Sequence, residues 1–180
     1  KLELTKVGLL RTESLNFFSA ALSAGYYSNI FKRTYIGVDV MGKTSTQTNL
    51  PYFLNEAIGF KDYIRGYEYY VTNGSEFIIN KNSIKFELLP PKVVNLPFVS
   101  DNRFKKSHIA LYWSIFADTG YVKPDSFTPN YNLEGNFLYG IGTGLYIVAY
   151  YDVVFRVEYS KNIFNEWGIF VHFGTPFLNN

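Results

Sequence analysis

Apolar residues recur at every second position along most of this chain, and a period of two marks strands rather than helices. The pattern is cleanest near the C-terminus. Trp167, Ile169, Val171, Phe173, Thr175 and Phe177 share one face, against Gly168, Phe170, His172 and Gly174 on the other. Phe170 is the large apolar exception on that second face. Val153, Phe155, Val157 and Tyr159 lie opposite Arg156, Glu158 and Ser160. Tyr139, Ile141, Leu145, Ile147 and Ala149 lie opposite Gly140, Gly142, Gly144 and Tyr146. Ile109, Leu111, Trp113 and Ile115 lie opposite His108, Tyr112, Ser114 and Asp118. Ile84, Phe86 and Leu88 lie opposite Ser83, Lys85 and Glu87. Ile36, Val38 and Val40 lie opposite Tyr35, Asp39 and Lys43, and Phe18, Leu22 and Tyr26 opposite Ser19 and Ser23. Leu2 to Leu10 is a weaker eighth candidate. The expectation is an all-β chain of seven or eight antiparallel strands, one domain over residues 1–180.

The connections have two characters. Tyr151-Asp152 and the stretch from Ser160 to Glu166 are short, whereas 46–80 and 120–135 are long and rich in Gly, Asn, Pro and Ser. Pro90-Pro91 and Pro97 mark a further turn, because proline cannot donate into a strand ladder. Short turns on one side and long loops on the other are the habit of transmembrane β-barrels. A soluble sandwich or a lipocalin-like barrel alternates in the same way, with its apolar face turned inward. Two features favour the membrane reading. Trp167, Phe177, Tyr139 and Tyr159 place aromatic rings at strand ends, as in interfacial girdles. The polar faces also carry glycines with tyrosine, which suits a crowded lumen better than a solvated exterior.

Composition narrows the class further. Aromatics make up 19% of the chain and charged residues 18%, below the roughly 25% charge of ordinary soluble domains. So many aromatics exclude a disordered chain. With no cysteine, disulfide scaffolds and cysteine-ligated metal sites are excluded. A formal net charge of +2 argues against a nucleic-acid partner, which needs many phosphates neutralised. No stretch approaches the 18 apolar residues of a membrane helix. Mean hydropathy is −0.05, which a membrane barrel also gives, since apolar and polar positions cancel. The first ten residues lack the apolar block of a signal peptide.

Four motifs then stand in order along the chain: Arg65-Gly66-Tyr67-Glu68 in the long loop, Ile84-Lys85-Phe86-Glu87, Ile115-Phe116-Ala117-Asp118-Thr119-Gly120, and Gly168-Ile169-Phe170-Val171-His172-Phe173-Gly174-Thr175-Pro176-Phe177. Gly140-Ile141-Gly142-Thr143-Gly144-Leu145 accompanies them. Together they resemble the C-terminal half of the BamA/TamA-type surface-antigen superfamily of outer-membrane barrels, over about residues 30–177. The resemblance implies a sixteen-stranded barrel, usually preceded by periplasmic POTRA domains, in the Gram-negative outer membrane. This chain would supply the last half of it. The implied function is insertion of outer-membrane proteins or polypeptide translocation, with no enzyme chemistry and no cofactor. The implied partners are outer-membrane lipid, the missing N-terminal strands, POTRA domains, client outer-membrane proteins and accessory lipoproteins. The alternative is a passive pore or structural barrel without a client.

The resemblance also implies roles for particular residues. Arg65 would turn into the lumen and latch the loop onto inner-wall carboxylates, Asp118 and Glu87. Strand parity puts both acids on the polar face, and a guanidinium fork satisfies a carboxylate while staying charged. Gly66 would allow close approach or positive φ, and Tyr67 would wedge against the wall. Gly174 would be a kink glycine at the lateral seam, in a last strand that also carries Gly168 and Phe170. Phe177 would be the C-terminal aromatic of the sorting signal. Asp118 and Glu87 also invite a catalytic-pair reading, which no cleft supports. His108 and His172 fall on polar faces without a ligand cluster in the sequence, so they read as lumen-lining rather than metal-binding.

Overall fold

The computed structural model describes residues 1–8, 16–47, 55–95, 106–124, 133–149 and 153–174. Eight strands follow one another in chain order: β1 (Leu2–Val7), β2 (Phe17–Phe31), β3 (Thr34–Ser45), β4 (Phe77–Asn95), β5 (Lys106–Val122), β6 (Phe137–Val148), β7 (Val154–Asn162) and β8 (Trp167–Gly174). They form one antiparallel sheet in which each strand pairs with its sequence neighbours. No pairing among the described residues joins β8 back to β1, so the sheet is open at both edges. Among the same residues no helix is long and apolar enough to cross a membrane.

Register turns the alternating pattern into rows. Asp39, Lys81, Asp118, Gly140 and Asn162 lie side by side across β3–β7. Two residues along, the row reads Gly37, Ser83, Phe116, Gly142, Ser160 and Gly168. The next reads Tyr35, Lys85, Ser114, Gly144, Glu158 and Phe170. These side chains share one face because successive strand residues point to opposite sides. The opposite face is apolar and exposed, with Ile84, Trp113, Ile115, Ile141, Leu145, Ile169, Val171 and Phe173 upon it. Aromatic pairs run across that face. Phe155 meets Phe173, its direct partner, at 4.7 Å, and Tyr159 stacks on Trp167 at 5.1 Å. Such cross-strand pairs are the unit that stabilises a sheet.

The apolar core does not lie between two layers of regular structure. The segment 55–76 packs on the polar-row face. Ala57, Ile58, Ile64 and Tyr67 from it join Ile79, Val122, Leu133 and Leu138 in one buried cluster. The sheet end that builds this core carries the connections 46–76 and 123–136. The four-residue turn 163–166 lies at the same end, since it follows an odd-numbered strand. The expected division into a short-turn side and a long-loop side is therefore corrected: turn 163–166 belongs with the long connections. At the other end, Lys32-Arg33 joins β2 to β3 in a tight turn. The connection 96–105 and residues Tyr151-Asp152 lie outside the described residues.

Candidate functional site

Arg65 sits at the centre of the covered face, only 6% exposed. Its Nε donates to Asp118 Oδ2 at 2.7 Å and its Nη2 to Asp118 Oδ1 at 2.5 Å, a two-toothed fork. The Arg65 amide donates to the same carboxylate at 3.2 Å, and Nη2 also donates to the Asn82 carbonyl. The guanidinium lies 3.9 Å over the Phe116 ring, a cation–π contact that strengthens when desolvated. Its Nη1 is 3.8 Å from Glu158 Oε1. Asp118 and Glu158 are both fully buried. Burial alone works against the charge on Arg65, but the hydrogen bonds and charge of Asp118 outweigh it and raise its pKa.

Local sequence explains how the loop comes so close. Gly66 has φ of 94°, a left-handed backbone that glycine adopts without penalty. Its amide donates to Glu68 Oε2 at 2.8 Å, and its carbonyl accepts from Asn162 on β7. On the sheet side, a side chain at Gly140 would overlap the Arg65 carbonyl oxygen. The Tyr67 hydroxyl donates to the Tyr139 carbonyl and accepts from the Ile163 amide, each at 3.1 Å. Burial raises the Tyr67 and Tyr63 pKa values. Farther out, the Tyr70 hydroxyl donates to Glu166 and holds that carboxyl below its ordinary range.

Glu87 requires a correction. It pairs with Tyr112 in a different row, six residues along β4 from Lys81, the partner of Asp118. Six residues of strand span roughly 20 Å. Its contacts are Arg33 at 3.9 Å and the Tyr35 hydroxyl at 3.4 Å. The second carboxylate at Arg65 is Glu158, four strands from β3 rather than one. Glu87→Ala is expected to change stability by about 1 kcal/mol or less, since its ion pair is long and Arg33 is exposed. A thermal melt beside Asp118→Ala checks this: equal losses would restore Glu87 to the latch.

The last strand is mixed. Gly168 and Phe170 face the loop, with the Phe170 ring lying across Gly168 and against Tyr69 at 5.3 Å. Cover by Tyr69 explains why a large apolar residue stands among polar ones. Gly174 is paired with Val154 at the strand end, and a side chain there would meet nothing. Phe177 lies outside the described residues. His172 is brought beside Glu68 and Glu158, so the reading of this histidine as lacking a ligand cluster is also corrected. An open depression of about 530 Å³ borders the site and takes in Arg65, Lys81, Lys85 and Arg156 beside Asp39 and Tyr146. No family model matches the chain, and neither a curated protein nor a solved structure matches it.

Proposed function

We propose that the chain is the C-terminal part of an outer-membrane β-barrel that assembles or translocates other polypeptides, as its resemblance to the BamA/TamA-type superfamily implies. The observation that carries this reading is the fork between Arg65 and Asp118. It joins two of the motifs on which the resemblance rests, with Gly66 and Tyr67 docked beside it. Two further features support it. The loop-free face is apolar and exposed, as a lipid-facing surface needs. Among the described residues the sheet has two unpaired edges, which in hydrocarbon would leave backbone groups unsatisfied at several kcal/mol each. Strands from elsewhere, in the same protein or another chain, would complete the barrel. An eight-stranded barrel closed on itself, the simplest passive pore, does not agree with the open β1 and β8 edges. An edge at the seam would template an incoming strand by backbone pairing.

Two measurements test this. Spin labels at Ile109, Leu111, Trp113, Ile169, Val171 and Phe173 are expected to show lipid rather than aqueous accessibility. Recovery of the native protein in the soluble fraction without detergent would sink the membrane reading. Depletion in cells is expected to lower the amount of folded, heat-modifiable outer-membrane barrels. A correctly located protein whose loss leaves those barrels at normal levels would instead be a passive barrel.

A further inference from the structure

We propose that Glu68, Glu158 and His172 form a binding site for a divalent transition-metal ion of the zinc class, which straps the loop to the last two strands. The three residues come from separate pieces of chain: Glu68 from the loop, Glu158 from β7 and His172 from the edge strand β8. One ligand atom from each lies within 4.8 Å of the others. His172 Nε2 is 3.8 Å from Glu68 Oε1 and 3.5 Å from Glu158 Oε2. All three of those atoms are buried and without a hydrogen-bond partner, and Glu158 as a whole is fully buried. An unpartnered buried polar atom is costly, and here three converge on one point.

The separations suit a metal better than direct pairing. Both exceed the 3.2 Å reach of a good N–H···O bond. They approach the roughly 3.4 Å between neighbouring ligands of a tetrahedral ion held at about 2.0–2.1 Å. The outer oxygens are already engaged, which leaves one free oxygen on each carboxylate. Glu68 Oε2 accepts from the Gly66 amide, and Glu158 Oε1 accepts from the Tyr146 hydroxyl at 2.6 Å. Partners of this kind orient metal ligands and are felt in affinity. Tyr63 stacks on the His172 ring at 5.7 Å and fixes its plane. Of the two guanidiniums beside the cluster, Arg65 is engaged by Asp118, and Arg156, the cross-strand partner of His172, donates to the Tyr63 hydroxyl. One imidazole with two carboxylates favours zinc, cobalt or nickel over calcium, which prefers an all-oxygen shell. The site stands on this geometry and does not depend on the assembly function.

The test uses the detergent-purified protein, stripped with chelator and titrated with Co²⁺ and then Zn²⁺. Co²⁺ is expected to give tetrahedral-type visible bands at one ion per chain, removed by Zn²⁺. His172→Ala and Glu68→Gln are expected to raise the Kd for Zn²⁺ by about 100-fold or more. Glu68 is a loop residue, so Glu68→Gln tests the site with every strand intact. Zinc is also expected to protect the loop from trypsin cleavage after exposed Lys61. At a hundred times Kd, opening that breaks the site falls by about 100-fold. Absence of stoichiometric binding to the wild type would overturn the proposal. So would both variants binding as tightly as the wild type, or loop protection that responds to pH and not to zinc.

Discussion

Arg65→Ala is expected to release segment 55–76 from the sheet and to cost roughly 3–5 kcal/mol, the usual effect of removing one partner from a buried ion pair. Both carboxylates it serves, Asp118 and Glu158, are fully buried. Without the guanidinium Asp118 loses its forked partner, and Lys81 across β4–β5, Arg156 beside Glu158 and water entering the site would lower the cost. Arg65→Lys is expected to recover only part of the loss. An ammonium on a flexible stem supplies charge, but it cannot send two parallel bonds into Asp118 or lie flat on Phe116. Asp118→Ala is expected to resemble Arg65→Ala. The double variant is expected to be no worse than either single, because the two residues act as one unit. Trypsin cleavage after Lys61 and thermal melting both report on it. A normal melt with an equally protected loop in Arg65→Ala would refute the latch.

The strands were legible because a half-exposed sheet writes itself in period two. Trp167 to Gly174 could be assigned from the alternation of Ile169, Val171 and Phe173 alone, since nothing else makes every second residue apolar. Parity likewise put Asp118, Glu158 and His172 on the polar face. Parity does not say which rows align. Glu87 and Asp118 stand on neighbouring strands and on the same face, and register separates them by six residues. Glu158 is two strands from Asp118, yet the loop reaches both at once. Register depends on strand lengths, on the bulges between Glu87 and Lys92, and on contacts far apart in the chain. The loop's contribution to the core was hidden for another reason. Ile58, Ile64 and Tyr67 follow no period and sit among glycines and polar residues, so no pattern marks them as buried. His172 and Glu68 are 104 positions apart in the sequence, and only the folded loop makes a cluster of them.

Tyr67→Ala is expected to cost about as much as losing Arg65, roughly 3–5 kcal/mol, by a different route. Tyr67 is 1% exposed and fills the cluster made with Ile58, Ile64, Ile79 and Leu138. Its ring also borders Tyr70 at 5.9 Å and Phe164 at 6.4 Å. Alanine would leave a cavity that strands fixed by hydrogen bonds cannot collapse around. Tyr67→Phe separates packing from polarity. It keeps the ring and removes the hydroxyl that bridges the Tyr139 carbonyl and the Ile163 amide. Leaving those backbone groups short of a partner is expected to cost about 1–3 kcal/mol, less than the alanine change. The local consequence is sharper than the global one. Ile163 opens the turn between β7 and β8, so its amide is expected to exchange with solvent faster in Tyr67→Phe, while amides in the middle of β5 keep their protection. Unchanged exchange at Ile163 would mean that the hydroxyl does not tie the loop to the last turn, and that Tyr67 acts through its ring alone.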